Sequence, residues 1–516
     1  MKEKNSGKQM SINLIASIVS FCVNMGINFF LAPFLVKELG TEAYGFIGLS
    51  LNFIQYATII TAALNSISGR FISIEYHRGN IDKASKIFSS VFVADIFLAT
   101  VMLVASLLFT MFIDVFLNVP SGLLTSVQIT FGLAFLAYVI SVVTAIFTTA
   151  TFVKNRLDIN SIRDIISNLI KLALVAVLFI FFPPQLYYLA LATVISGMFL
   201  LLANISVKKK IMPDVKVKIK NFSFAYVKMI LAAGIWVSFS QLCNVLISGL
   251  DLLICNLVLG PTIMGLYSIA KTVPTCLSNL INMLGNVFTP HYTIMYAKGD
   301  IDGLVQEVKF TSKIISTIMT VPLAGFIIFG NQFYTLWQPT KTADEILMIQ
   351  ILSVLTCLMY LFTCHTQCLM MLYTVCNKLV LPVFVNFGIG LSSVGIVLLV
   401  LNFGTLGNNG VYVIAAVSSV LMSIRALTFM PIYSAKILNR KWNTFYDTII
   451  RGCICFAVIA VMFYIVSMFI TINSWFSLIA VCVGFGLIGY ALCIPLMFKR
   501  SEIKKLTGKF MKKIKH

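Results

Sequence analysis

The sequence predicts an all-α polytopic membrane protein of about fourteen transmembrane helices, built as two parallel six-helix bundles with two further helices at the C-terminus. Three observations carry this. Of the 516 residues, 59% are hydrophobic and only 11% charged, against about 25% charged in a soluble domain, and mean hydropathy is +0.97. The apolar residues gather into runs long enough to cross a bilayer, which takes about 20 residues each. Shifted by 220 residues, the chain also resembles itself. These proportions exclude a secreted enzyme, a disordered regulator and a DNA-binding module.

The expected spans are 10–36, 44–69, 87–113, 123–150, 164–183, 186–206, 227–251, 264–289, 312–334, 345–373, 379–402, 410–435, 448–471 and 475–498. Pro183-Pro184 separates the fifth from the sixth, because paired prolines end a helix. The runs are too long and continuous for the alternating ten-residue strands of a barrel. The first run is no cleaved signal: it is long, carries polar residues through its centre and has no small-residue cleavage site after it.

Net charge is +20, from 38 Lys and Arg against 18 Asp and Glu. With the N-terminus cytoplasmic, 33 of the 38 basic residues fall on the cytoplasmic side, which fixes the orientation and places both termini inside. Lys37 and Lys341 fall outside, and Lys171, Lys271 and Arg425 stay within spans. The basic charge therefore belongs to loops between apolar helices, not to a nucleic-acid surface, since the aromatic residues that stacking needs lie inside the apolar runs. The expected layout is an N-terminal lobe at 1–206, a basic cytoplasmic linker at 207–226 and a C-terminal lobe at 227–436, then two helices at 437–498 and a basic tail at 499–516.

Twelve cysteines do not form a disulfide framework or a zinc site. Most lie in or beside apolar runs, and Cys364, His365 and Cys368 on one helix fall short of the four ligands of structural zinc. No metal and no cofactor are expected.

The self-similarity pairs Ser20 with Ser240, Asn24 with Asn244, Leu39-Gly40 with Leu259-Gly260, Gly45 with Gly265, and Gly79 with Gly299, giving 12 identities in 63 positions. The offset spans six helices, an even number, so the halves share one orientation and form a parallel repeat; a cleft between such bundles is the usual transport path.

Polar residues line single faces of several spans. On the first, Asn13, Ser17, Ser20, Asn24 and Asn28 fall within about 80° of each other. The seventh carries Ser240, Gln241, Asn244, Ser248 and Asp251. The eighth carries Ser268, Lys271, Thr275, Ser278, Asn282, Asn286 and Thr289, and the second a broader set of Asn52, Gln55, Thr58, Asn65 and Ser66. Such residues either bond helices to one another or line an aqueous cavity. Their recurrence on repeat-related spans favours the cavity, with Lys271 as the residue that meets an anionic substrate. Arg70, Asp95, Lys171, Asp251 and Arg425 are candidates for a charge relay or a headgroup contact, because ionisable groups inside a membrane are costly and commonly functional.

The first span, ending in Leu31-Ala32-Pro33-Phe34-Leu35-Val36, is followed by Leu39-Gly40-Thr41-Glu42-Ala43-Tyr44-Gly45. This resembles the first helix and outer loop of bacterial polysaccharide flippases, of the O-antigen and capsule repeat-unit type, in the multidrug/oligosaccharidyl-lipid/polysaccharide exporter superfamily. Leu259 to Ala270 and Tyr296-Ala297-Lys298-Gly299-Asp300 are similar in the same way. The resemblance implies a fold like that of MATE transporters and lipid II flippases: two lobes around a V-shaped cavity, working by alternating access in the bacterial cytoplasmic membrane. It implies an undecaprenyl-diphosphate-linked oligosaccharide as substrate, moved from the inner to the outer leaflet, with membrane lipids and polysaccharide polymerase machinery as further partners. By helix and face, the family's cationic cavity residue maps to Lys271. Helices 13 and 14 shape a lipid-tail groove in lipid II flippases. The chain departs from those flippases in having no basic residue on the first helix or at the centre of the second.

Two rival readings remain. A cation-coupled multidrug or metabolite antiporter of the same superfamily needs a functional carboxylate in a lobe, for which Asp95 is the candidate in the first half. An enzyme acting on the same lipid-linked sugar needs acid–base or phosphate-binding motifs, and the short outer loops offer few such groups.

Overall fold

The computed structural model describes residues 2–404, 406–500 and 502–503. Most of the expected basic tail, and the side chains of Lys2, Lys4 and Lys8, lie outside the described residues. Helices account for almost everything described, and among those residues there is no strand. The long helices are α1 (Lys2–Leu39), α2 (Thr41–His77), α3 (Ile81–Met111), α4 (Leu124–Val153), α5 (Leu157–Phe181), α6 (Tyr188–Ile211) and α7 (Phe224–Asn244). They continue with α8 (Pro261–Ala297), α9 (Ile301–Trp337), α10 (Ala343–Val375), α11 (Val380–Phe403), α12 (Gly410–Leu427), α13 (Tyr446–Ser467) and α14 (Trp475–Met497). A π turn at Val245–Gly249 and a short helix at Asp251–Leu259 prolong α7, and Phe429–Ile437 prolongs α12.

These fourteen helices occupy the fourteen expected runs, and the chain is a multi-pass membrane protein. Thirteen helices among the described residues are long and apolar enough to cross a bilayer. The exception is α8, whose 37 residues are interrupted by its own polar face. Several helices exceed their expected spans. At 1.5 Å per residue, α2 and α9, each of 37 residues, run to about 55 Å, well past the roughly 30 Å of hydrocarbon.

The duplication is visible in the backbone. Gly40 and Gly260 stand at equivalent helix junctions with φ of 87° and 89°. Gly79 and Gly299, at the next pair of junctions, have φ of 82° and 73°. These left-handed values favour glycine, which carries no Cβ to clash. At the α2 and α8 N-termini, Thr262 donates to Glu42 at 2.6 Å, a bond between positions 220 residues apart. A Cβ on Gly45 would lie 2.8 Å from the Cα of its equivalent, Gly265. Repeat-equivalent positions thus meet each other within the first unit.

The chain divides into two compact units, Met1–Ile269 and Ala270–His516, with the division falling inside α8. In the first unit, α2 packs on α3, α4 and α7, and α5 lies between α1 and α6. Its core joins Leu64, Ile72, Ile87, Phe88, Val91 and Ile146 with Met212 and Val215 from the segment after α6. In the second unit, α9 is central, packed against α10, α13 and α14. Its core runs through Tyr292, Leu304, Val308, Ile315, Cys364 and Cys368. Large buried aromatics there keep their hydroxyls bonded, as interior tyrosines do: Tyr334 to Ser353 at 2.7 Å and Tyr292 to Thr311. Thr342 and Glu345 close a capping box that starts α10, satisfying amides a helix start leaves open.

Candidate functional site

In the first unit the polar face of α1 divides in two. Its N-terminal half is bonded to α5 and the turn before it. Asn13 is buried, donates to Asn155 at 3.1 Å and accepts from the Asp158 amide at 3.0 Å, and Gln9 donates to Asp158 at 3.0 Å. Ser17 meets Ser161 at 3.3 Å. Here the stripe joins two helices. Further along, Asn24 and Asn28 are exposed. Asn24 donates to Asn168 at 3.3 Å, and Asn28 donates to Asn24 at 2.9 Å. Asn168 in turn donates to the Asp164 carbonyl at 2.9 Å. Lys171, one turn on, is half-buried and has no side-chain hydrogen bond or ion pair among the described residues.

The end of α7 supplies the second polar group. Asn244 is exposed and donates to Gln241 at 2.9 Å, and Ser248 lies within the π turn, half-buried. That turn widens the helix and frees a carbonyl, which α2 satisfies: Asn52 and Tyr56 both donate to Gly249 O, at 2.9 and 2.6 Å. Asp251, just past the turn, accepts from Tyr267 at 3.3 Å.

Asp95 sits apart from both groups. It is fully buried on α3 at 0% exposure. With its amide nitrogen turned to the carboxylate, Asn65 of α2 donates to both oxygens, at 3.1 and 3.2 Å. Thr61 and Tyr138 share a 2.6 Å hydrogen bond. Arg70 is exposed near the end of α2.

In the second unit the α8 face carries Lys271 and Ser278 half-buried and Thr275, Asn282 and Asn286 exposed. Thr275 donates back to the Lys271 carbonyl at 2.8 Å, while Asn282 accepts from the buried Gln367 of α10 at 3.0 Å. Gln367 packs so close to Gly285 that a Cβ there would meet its Cγ at 2.7 Å. This glycine lets α10 present an amide to α8. Arg425 is buried at 5% exposure, with Nη1 3.6 Å from the Met422 sulfur, so it belongs to the interior of this unit.

Sequence reasoning missed the buried Arg163 and did not find the partner of His365. Arg163 is buried and donates to Asn204 at 2.7 Å, to the Ile159 carbonyl at 3.0 Å and to Asn160, tying α5 to α6. His365 is buried, with Nδ1 2.7 Å from Ser316 Oγ. Gly452 makes room for its ring, as a Cβ there would lie 2.5 Å away. Spacing alone did not reveal these, because each depends on which helix comes alongside. Among the described residues no group of three or more His, Cys, Asp or Glu is arranged to hold a metal ion.

The second unit also holds an apolar cavity of about 370 Å³ between α9, α13 and α14, lined by Phe326, Phe329, Phe333, Phe463, Leu478 and Phe485. Gly325 and Gly486 also line its walls.

Residues 12–293 match the family model described as polysaccharide biosynthesis protein. The chain is 28% identical over 507 residues, 98% of each chain, to the uncharacterized membrane protein EpsK of Bacillus subtilis (strain 168). Its fold is similar to that of a solved structure of the lipid II flippase MurJ in an inward closed conformation, with a TM-score of 0.66 at 15% identity over 93% of this chain and 97% of that one. An inward-facing multidrug resistance MATE transporter of the MOP superfamily matches with a TM-score of 0.64 at 14% identity, over 84% of this chain and 98% of that one.

Proposed function

Because the chain belongs to the polysaccharide biosynthesis protein family, we propose that it is a flippase for undecaprenyl-diphosphate-linked oligosaccharide repeat units. It moves them by alternating access from the inner to the outer leaflet of a bacterial cytoplasmic membrane, with both termini cytoplasmic, and hands them to surface-polysaccharide polymerisation. The observation that carries this reading is the exposed amide and hydroxyl set on otherwise apolar helices: Asn24, Asn28 and Asn244 in the first unit and Thr275, Asn282 and Asn286 in the second. Stripping a sugar hydroxyl of water in an apolar medium costs several kcal/mol. Such side chains replace the lost water, and Ser248 and Ser278 add to them. Lys271 meets the diphosphate. The lobes 1–206 and 227–436 are the repeated halves that rock, and the cavity beside α13 and α14 shelters part of the polyprenyl tail.

A strain lacking the gene tests this. Complete lipid-linked repeat units should accumulate on the inner leaflet, protected from a membrane-impermeant enzyme. The wild-type gene should relieve the block. Lys271→Ala should slow relief about tenfold to a hundredfold, the loss of one charged hydrogen bond of about 1.5–3 kcal/mol. Normal surface polymer with no accumulated intermediate overturns the flippase reading, and wild-type flipping by Lys271→Ala overturns the site.

A further inference from the structure

The basic segment between α6 and α7 is not a free linker. It is docked on α3 as a strap, extended at 216–218 and followed by a 3-10 turn at Ile219–Asn221. Ser85 accepts from the Lys216 amide at 3.1 Å, Ser89 from the Lys218 amide at 3.1 Å and Ser90 from the Ser223 amide at 2.9 Å. Met212 and Val215 are wholly buried against Ala84, Ile87 and Phe88. Lys208, itself buried, lies 5.4 Å over the Phe88 ring and donates to the Val215 carbonyl. Three serines of the first turns of α3 therefore satisfy backbone that would otherwise need water or a sheet partner.

Docking one face fixes what the other presents. Lys216, Lys218 and Lys220 point outward, and among them stand Ile219 at 77% exposure, Phe222 at 42% and Phe224 at 66%. Water alone does not favour three large apolar side chains held out by a docked segment. A charged protein or nucleic-acid surface would match the lysines but leave those apolar groups unmatched. One environment suits both: the interfacial layer of a leaflet, where lysines reach headgroup phosphates and apolar side chains enter the acyl boundary. The strap also lies where such a layer ends, between the Lys208-Lys209-Lys210 turn that closes α6 and the first residue of α7.

We propose that the strap at 212–224 is an interfacial anchor that selects anionic phospholipids, with Lys216, Lys218 and Lys220 contacting the phosphates and Ile219 and Phe224 entering the acyl region. It binds lipid of the surrounding leaflet and does not depend on the transported substrate. A basic residue beside an anionic surface contributes about 1 kcal/mol, roughly fivefold in local lipid preference.

The test uses the full chain carrying Ile219→Trp, reconstituted in vesicles of phosphatidylcholine with or without phosphatidylglycerol, either lipid brominated on its acyl chains. Quenching of the new tryptophan, taken as the difference from the unsubstituted chain, reports which lipid lies beside the strap. Brominated phosphatidylglycerol should quench severalfold more per mole than brominated phosphatidylcholine at low salt. The preference should fall toward unity in high salt, and also in Lys216→Gln/Lys218→Gln/Lys220→Gln. Because these lysines are exposed, that variant should keep the wild-type unfolding temperature. Equal quenching by the two lipids overturns headgroup selection. Absence of quenching by either, in protein that unfolds at the normal temperature, places the strap in water or against a protein and overturns the anchor.

Discussion

Gly234 decides whether α7 reaches α2. A Cβ built on it would lie 2.0 Å from the Ala63 carbonyl oxygen and 2.7 Å from the carbon behind it, both backbone atoms. No rotamer relieves that clash. Gly234→Ala forces the helices apart by about 1 Å, from 2.0 Å to at least the 3.0 Å of the tightest real contacts. The 3.0 Å hydrogen bond between the Ala63 amide and Ser238 spans the same crossing and stretches with it. Overpacking of this kind costs about 1–3 kcal/mol, and an interhelical bond in a membrane about 0.6 kcal/mol. Against this stands the roughly 0.5–1 kcal/mol gained when alanine replaces glycine within a helix. The net expectation is a loss of about 1–3 kcal/mol. Gly26, mid-helix in α1 with nothing within 4 Å of its would-be Cβ, isolates the favourable part, so Gly26→Ala should gain stability. Both variants can be unfolded thermally in detergent with a thiol-reactive dye, which reads the eight buried cysteines as they become exposed. Opposite shifts in unfolding temperature are expected. A Gly234→Ala protein that melts at or above wild type refutes the close-crossing argument.

Other substitutions test other parts of the structure. Asp95→Asn should preserve the fold, since an amide replaces the carboxylate beside Asn65; Asp95→Leu should lower the unfolding temperature by stranding that amide, at about 1–3 kcal/mol. If Asp95→Asn abolishes drug efflux in a susceptible host, the antiporter reading gains and the flippase reading loses. Glu502, just beyond α14, bonds Lys313 of α9 at 2.8 Å, where the lysine is nearly buried. Burial pushes the Glu502 carboxyl up, but Lys313 and the Lys499 amide pull it down further, to a net value below its ordinary 4.5. Its contribution to stability is therefore present above pH 4.5 and is lost as pH falls through the lowered value. Glu502→Gln should remove that part of the acid sensitivity, and adding Lys313→Met should restore stability at neutral pH.

The helices were legible in the sequence because each long apolar run meets a length condition set by the bilayer. The repeat was legible because helix junctions need left-handed backbone, which keeps Gly40, Gly79, Gly260 and Gly299 at matching positions. The strap was not legible. Its lysines read as a solvated linker, and Ser85, Ser89 and Ser90 carry no pattern that sets them apart from other small residues at the start of a helix. Only their meeting with the amides of 216, 218 and 223 gives them a role. Arg163 was hidden for the same reason, since its partners lie on α5 and α6 together.

The polar face of α1 shows where a pattern stops being informative and geometry takes over. α5 runs beside α1 at a constant offset of 144 residues, seen in the Ser17–Ser161 and Asn24–Asn168 pairs. At the N-terminal end, the turn before α5 offers Asn155 and α5 offers Asp158 and Ser161, so the α1 amides and hydroxyl are consumed in holding the helices together. Carried on to Asn28, the same offset reaches position 172, which is leucine, and Asn28 turns back to Asn24 instead. The ladder therefore ends there, and the exposed amides begin. Lys171 stands at that level, half-buried and without a bonded partner among the described residues. If it served only to hold the fold, it would be expected to have a carboxylate or carbonyl beside it. An unpartnered cation in a membrane helix is a cost that removal relieves. Lys171→Met should therefore leave the unfolding temperature unchanged or raise it. It should also slow delivery of lipid-linked repeat units to the outer leaflet, measured with the same impermeant enzyme, by about tenfold if the lysine contacts the transported headgroup. Wild-type flipping in this variant would make Lys171 a residue that merely reaches for the interface. Lower thermal stability would mean that it has a structural partner after all.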